Sequence, residues 1–222
     1  MLINKKVILT AAVALSLGAS SCRKFMDVNK NPNISQTATV QTLLPAAQLY
    51  VGSAMGVDLQ IAGSIWSQYW TQTPIASQYI TFDQFSTGQD AYSVAWTNLY
   101  AGAENFYQLY NLADSGKKRQ YKAIALLMQA YTFQVITDGC GDVPFKQALK
   151  GQFADGHVVN PKYDSQRVVY NGSLAYIDSA NKLLNVADPI HPGSDDMIYG
   201  GNMAKWIKFS NTLRLKILLR MS

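Results

Sequence analysis

The sequence predicts an all-α fold, built of tetratricopeptide-like helix hairpins with long irregular loops. Apolar residues recur at three- and four-residue spacing in several separate segments. One segment, Gln120 to Thr137, is apolar nearly all round, as a helix buried on several sides must be. Short turns join these helices in pairs, which is how helix-hairpin arrays are connected, although no clean repeat consensus is present.

The chain has 222 residues, of which 48% are apolar and 15% charged, a globular composition with material for a sizeable core. Formal net charge is +5, and removing Lys5 and Lys6 from the 19 basic residues leaves 17 against 14 acidic, or +3. That is too mild a balance for nucleic-acid binding, and no basic stripe with interleaved aromatics occurs before the extreme C-terminus.

The first segment reads as a leader. Lys5 and Lys6 precede an apolar run of 11 residues, Val7 to Leu17, followed by the small residues Gly18, Ala19, Ser20 and Ser21 and then Cys22. The run is too short to span a bilayer, so residues 1–21 are expected to be a signal peptide. A cysteine directly after a small-residue cleavage region is what lipoprotein processing requires, and several acyl chains on Cys22 would anchor the mature chain stably. The alternative is an ordinary secretory signal followed by a coincidental cysteine. Residues 22–40 are polar and turn-rich, a tether leading to a helical domain at 41–222. No later segment is a membrane-span candidate, because the most apolar one, Ile124 to Ile136, has 13 residues and is interrupted by Gln129, Thr132 and Gln134.

Helices follow in order. Thr42 to Met55 carries Leu43, Leu44, Ala47, Tyr50, Val51 and Ala54 at helical spacing, with Pro45 expected in the first turn. Val57 to Tyr69 is expected to form a second helix. Ala91 to Ala113 follows, closed by Asp114-Ser-Gly116 with Gly116 as its C-cap. After Gln120 to Thr137 come Tyr170 to Val186, with a stripe at Tyr170, Leu174, Ile177, Ala180 and Leu184, and Met203 to Leu219, with Trp206, Phe209, Leu213 and Ile217. This last helix carries Lys205, Lys208, Arg214, Lys216 and Arg220 and no acidic residue. It reads as an interior helix whose covering half is missing, in a truncated product or a fragment; a basic membrane-surface helix is the other reading.

Residues 66–100 hold nine aromatics and only two charges, Asp83 and Asp90. Aromatic faces with amides and hydroxyls nearby suit sugar rings, whose C–H faces stack while their hydroxyls hydrogen-bond. The competing role is packing, since Trp and Tyr at helical spacing usually belong to a core. Trp96, Tyr100 and Tyr107 read as packing residues, whereas Trp70 and Tyr79 flank a polar, Pro-containing loop and fit either role.

Asp138-Gly-Cys-Gly-Asp-Val-Pro-Phe145 is a tight turn with an extended exit. Asp138 and Asp142 lack the further oxygens that a calcium site needs, so they read as turn-capping carboxylates rather than metal ligands. Cys140 reads as a small half-buried turn residue, with a reactive thiol as the other reading. His157 and His191 lie in polar loops as solvated side chains. The sequence contains no G-x-S-x-G, H-E-x-x-H or phosphate-binding loop, and Asp83 and Asp90 do not make a glycosidase carboxylate pair. No enzyme, no cofactor and no metal are expected.

Three motifs occur in one order: Cys22 followed by Phe25-Met-Asp27, the helix from Tyr121 to Ile136 running into Gly141-Asp-Val-Pro-Phe145, and Lys205-Trp-Ile-Lys-Phe-Ser-Asn-Thr-Leu-Arg-Leu-Lys216. Together they resemble the SusD/RagB family of nutrient-binding outer-membrane lipoproteins, in its starch- and glycan-binding branch. Family chains are longer, so the resemblance covers their N-terminal half. It implies a lipid-anchored, surface-facing outer-membrane protein that captures oligosaccharides, or in some members peptides, and passes them to a TonB-dependent transporter without chemistry on the ligand. In such a capture role Trp66, Trp70 and Tyr79 would stack on sugar rings while Gln68, Gln72 and Gln78 hydrogen-bond. The alternative class is a helix-repeat scaffold lipoprotein that binds a protein partner.

Overall fold

The computed structural model describes residues 38–113, 116–152 and 156–222. The segment expected to be a signal peptide, Cys22, nearly all of the expected tether, and Asp114-Ser115 lie outside the described residues. All elements below belong to one unit, Thr39–Ser222.

Helix α1 (Val40–Ser53) begins two residues before the sequence pattern suggests. A capping box sets its start: Thr39 Oγ1 accepts the Thr42 N–H at 3.3 Å, and Thr42 Oγ1 accepts the Thr39 N–H at 3.0 Å. The helix therefore starts inside the segment expected to be a tether, and Pro45 sits in the second turn rather than the first. Its missing N–H leaves the Gln41 carbonyl to water, which is tolerable because Gln41 is exposed. The expected break after Met55 is replaced by a π-helical stretch, Ala54–Leu59, that feeds directly into α2 (Gln60–Trp66). One wide turn absorbs the extra residue without interrupting the rod.

Helix α2 stops at Trp66, earlier than expected. The Gln68 N–H reaches the Ile65 carbonyl at 2.9 Å and the Tyr69 N–H reaches the Ser64 carbonyl at 3.0 Å, with Gln68 at φ +61°. This is a Schellman closure, with glutamine in the left-handed position that glycine usually takes. The four-residue α3 (Ile80–Asp83) closes the same way: Phe85 N–H bonds the Phe82 carbonyl, Ser86 N–H bonds the Thr81 carbonyl, and Phe85 has φ +53°.

Helix α4 (Ser93–Ala113) packs on α1, and α5 (Arg119–Cys140) packs on α4. A Cβ at Gly102 of α4 would lie 2.7 Å from Val51 Cγ2, so the glycine sets the distance between α1 and α4. Tyr100 meets Phe133 at one end of the α4–α5 pair and Lys122 Nζ sits 4.4 Å over the Tyr110 ring at the other, so the two helices run antiparallel. Helix α5 is the buried centre that its all-round apolar sequence predicts, with Ile124, Leu127, Phe133 and Ile136 almost fully inaccessible.

Gly141, at φ +75°, ends α5. Val143–Pro144 (β1) then pairs antiparallel with Tyr163–Asp164 (β2), in the register Val143 to Asp164 and Pro144 to Tyr163. Helix α6 (Gln166–Leu184) starts four residues before its apolar stripe. Asp142 accepts the Gln166 N–H at 3.0 Å, and Gln166 Nε2 donates to the Thr137 carbonyl at 2.7 Å, which tie the start of α6 to the end of α5. At the far end Asp188, just past α6, takes a two-pronged bond from the Arg119 guanidinium at 2.9 and 2.8 Å, together with the Arg119 backbone N–H. Helix α7 (Met203–Met221) runs antiparallel to α6, with Ser210 donating to Asn181 at 2.7 Å and Arg214 pairing with Asp178. Each long helix thus packs on the next, an array of helix hairpins. Among the described residues no helix is long and apolar enough to cross a membrane.

Helix α7 buries Trp206, Ser210, Leu213 and Ile217 and leaves Leu215, Leu218 and Leu219 exposed. The 191–201 loop ties it to α1. Asp196, 2% exposed, accepts hydrogen bonds from Gln48 Nε2 of α1 and Trp206 Nε1 of α7, each at 2.8 Å, and from the Ile198 and Gly201 N–H groups. Gly201 has φ +75°, and a Cβ there would meet the Pro192 carbonyl oxygen at 2.1 Å, so no other residue fits.

Candidate functional site

The aromatic segment forms a shelf outside the core. Its two left-handed closures, at Gln68 and Phe85, bracket the loop from the end of α2 through α3. Trp66 anchors one side. Its Nε1 donates to the Phe82 carbonyl at 3.2 Å, and its ring meets Phe82, Phe85 and Tyr92 at centroid distances of 6.1 to 6.2 Å. Phe85 lies nearly parallel to Trp66, at 27° between planes, although Phe85 is 64% exposed. Stacking offsets the cost of holding a non-glycine residue at positive φ.

Helix α2 separates two cavities. Leu59, Ala62, Gly63 and Trp66, spaced as one helical face, line a cleft of about 730 Å³. Ile61 and Ile65, on another face, line a pocket of about 280 Å³ together with Trp70, Thr71, Gln72 and Tyr79. Of the six residues picked from sequence, Trp70, Gln72 and Tyr79 thus share the small pocket, and Trp66 lies across α2 on the large cleft. Gln68 and Gln78 are exposed and line neither cavity.

The glutamines are more engaged than sequence suggests. Gln72 Nε2 donates to Asp83 Oδ2 at 2.9 Å and Gln72 Oε1 accepts the Tyr79 N–H at 2.8 Å, so this amide pins the loop to itself. Gln78 Nε2 donates to the Tyr79 hydroxyl at 3.0 Å and fixes the orientation of that ring. Trp70 is half exposed over the pocket, and Tyr69 beside it is 86% exposed. The pocket lining carries no charged side chain, since Asp83 stands behind Gln72.

Trp96 and Tyr100 pack as expected: their rings are 4.7 Å apart, and the Tyr100 hydroxyl donates to the Pro144 carbonyl at 2.8 Å. Burial pushes the Tyr100 phenol well above the usual tyrosine range. Asp142 caps α6, while Asp138 accepts from the Tyr170 hydroxyl at 2.5 Å and pairs with Arg220 at 3.2 Å. Both carboxylates are therefore occupied by protein partners, and among the described residues no cluster of three or more potential metal ligands occurs. His157 and His191 are exposed, with Nδ1 of each near a backbone carbonyl oxygen, at 3.0 Å from Gly151 and 3.1 Å from Pro192. Cys140 differs from expectation. It is the last residue of α5, not part of the turn, and it is exposed at the rim of the large cleft. Desolvation beside the cleft pushes its thiol above the ordinary range. The α5 wall of that cleft, Val135, Ile136 and Gly139, carries no sequence signal beyond burial.

A SusD-like family described as starch-binding and associating with the outer membrane matches residues 31–222. Among solved structures, a SusD/RagB family protein from Bacteroides thetaiotaomicron aligns with a TM-score of 0.71 at 21% identity, over 83% of this chain and 38% of that one. A chitin-binding protein aligns with a TM-score of 0.62 at 27% identity, over 80% and 39%. A SusD-like protein, also from Bacteroides thetaiotaomicron, aligns with a TM-score of 0.61 at 19% identity, over 82% and 38%. The chain spans under two fifths of the length of these relatives. No curated protein matches at a significant level. With the family match running from before α1 to the end of α7, over the same hairpin array as its structural neighbours, the chain belongs to the SusD-like family.

Proposed function

We propose that this chain captures neutral glycans on the aromatic shelf and passes them, unmodified, to a TonB-dependent transporter in the outer membrane. The observation that carries the reading is the pocket formed by Trp70, Tyr79 and Gln72, uncharged and set in an exposed loop rather than in the core. Half-exposed aromatic rings held by backbone closures present preorganised stacking faces, so little ordering entropy opposes binding. Trp70 and Tyr79 supply the faces, whereas Trp66, the third ring expected from sequence to stack, lies across α2 on the large cleft. Gln68 and Gln78 lie at the rim as hydrogen-bonding groups, and Gln72 holds the loop in shape. The family's description as starch-binding, and the chitin-binding relative at 27% identity, support a carbohydrate ligand. Lipid on Cys22 would hold the chain to the outer membrane, facing the cell surface, with no enzymatic step and no cofactor.

The test is affinity electrophoresis and calorimetry of the chain against a panel of neutral and acidic polysaccharides and peptides, after circular dichroism has shown it folded. Retention by one or a few neutral glycans, lost in Trp70→Ala, is expected. A folded chain that ignores every glycan but binds peptide, or only a protein partner, would replace this reading with peptide capture or a scaffold role.

A further inference from the structure

The cleft on the other side of α2 is larger than the small pocket and, for its size, more apolar. Its walls are Trp66, Trp96, Leu99, Val135 and Ile136, and no charged side chain lines it. Its volume of about 730 Å³ lies within the range of small-molecule sites. The indole N–H of Trp66 is already bonded to the Phe82 carbonyl, so it is not a donor for a group in the cleft. The few polar groups, on Gln89, Tyr92, Ser93 and Cys140, are uncharged near neutral pH, and burial raises the Tyr92 phenol. An apolar enclosure with two indole rings and a sparse set of neutral hydrogen-bonding groups suits a flat aromatic group bearing a hydroxyl or ether oxygen. The cleft's hydrogen-bonding groups are sparse for a volume of about 730 Å³, so most of the surface of a bound group must be apolar.

We infer that this cleft is a second binding site, for a neutral aromatic group, separate from the Trp70–Tyr79 pocket. The inference does not rest on the glycan reading, since the two cavities use different faces of α2.

Cys140 supplies a reporter at the rim. In the full chain carrying Cys22→Ser it is the sole thiol, because the sequence has two cysteines. Naphthol is the probe, followed by calorimetry and by the rate at which N-ethylmaleimide labels Cys140. Naphthol is expected to bind and to slow labelling several-fold, while the saturated bicyclic alcohol of the same skeleton binds at least about tenfold more weakly for want of ring stacking. Gly63→Leu is the blocking variant: a Cβ at Gly63 meets nothing within 4 Å, so the new side chain fills the cleft mouth without straining the helix. It should keep the circular dichroism and lose naphthol binding, and Trp70→Ala should retain it. Absence of naphthol binding, binding that leaves Cys140 labelling unchanged, equal binding of the saturated alcohol, or full binding by a folded Gly63→Leu chain would each overturn the assignment.

Discussion

The Asp196 carboxylate accepts the indole N–H of Trp206 at 2.8 Å, ten residues apart in sequence and both buried. Gln48, nearly 150 residues away, donates to the same carboxylate and accepts the Met197 N–H through its own carbonyl oxygen. One carboxylate therefore fixes α1, the 191–201 loop and α7 together. Asp196→Ala strands the Gln48 amide, the Trp206 indole and the Ile198, Tyr199 and Gly201 N–H groups at a buried position. It is expected to cost about 3–5 kcal/mol, from the desolvation of several donors. Asp196→Asn, which keeps the shape and one acceptor oxygen, should cost about 1–2 kcal/mol. Urea denaturation of the three chains checks the order.

Acid should act through the same group and through Asp188. Burial opposes the charge on Asp196, but the bonds from Gln48, Trp206, Gly201 and Ile198 outweigh it and hold the carboxyl below the usual range. The Arg119 side chain, against the opposing effect of burial, does the same for Asp188. A carboxyl whose folded pKa is depressed contributes stability that is present above its unfolded value, about 3.9, and lost as pH falls through the folded value. Stability should be level near neutrality and fall below about pH 4. Asp196→Asn should flatten that fall, and an unaltered acid limb in the variant would assign it to other groups.

At the alkaline end the sign reverses. Burial and the hydrogen bond to Asp138 push the Tyr170 phenol up to about 12. A raised folded pKa contributes stability that is intact below the unfolded value, about 10, and disappears as pH rises through the folded one. Thermal midpoints should therefore decline from about pH 10 upward, and Tyr170→Phe should weaken that decline because nothing there ionises. Ultraviolet titration of the phenols checks the assignment.

Much of this architecture was legible in sequence, for physical reasons that differ by element. The all-round apolar run from Tyr121 to Ile136 cannot be anything but a central helix, and α5 is one. The Gly-Asp-Val-Pro-Phe turn announces itself through glycine and proline, and Asp142 caps the next helix as a turn carboxylate should. The closures at Gln68 and Phe85 gave no signal, because left-handed residues are recognised by glycine or asparagine and neither stands there. From sequence, His191 reads as a solvated residue of a polar loop, and nothing there singles out Asp196. Asp196 is nonetheless among the most buried polar residues, because its partners come from α1 and α7, and no local pattern reports contacts of that range. In the candidate site, the aromatic content singled out Trp66, Trp70 and Tyr79, but it is the fold of α2 that puts Trp66 on one cavity and the other two on a second.

That separation gives the glycan reading a sharp signature. Trp70→Ala removes a half-exposed ring from the pocket and should weaken glycan retention by about 1–3 kcal/mol without changing stability. Gln72→Ala should also weaken it, but by loosening the loop, since both amide atoms of Gln72 are engaged with Asp83 and Tyr79. The two are distinguished by proteolysis of the 70–85 loop, faster in Gln72→Ala and unchanged in Trp70→Ala. Equal retention by wild type and Trp70→Ala would place the ligand elsewhere.

The Phe145 ring rests on Gly172 of α6, where a Cβ would lie 2.2 Å from Cε1 and 2.4 Å from Cζ. The ring has nowhere to retreat. Phe133 meets it edge-on at 4.8 Å and Tyr176 lies 5.7 Å away. Gly172→Ala gains about 0.5–1 kcal/mol of helix propensity. Against this stands overpacking of about 1–3 kcal/mol, so a net loss of about 1–2 kcal/mol is expected. Phe145→Leu alone should cost about 1–2 kcal/mol by leaving a gap under Phe133. The double variant Gly172→Ala with Phe145→Leu should be more stable than the sum of the two losses, because the new methyl group fills part of that gap. Urea denaturation of the four chains measures the coupling. Strict additivity would mean that Phe145 swings clear of α6 at little cost, and that the turn after α5 is held by its backbone bonds to Asp164 rather than by the ring.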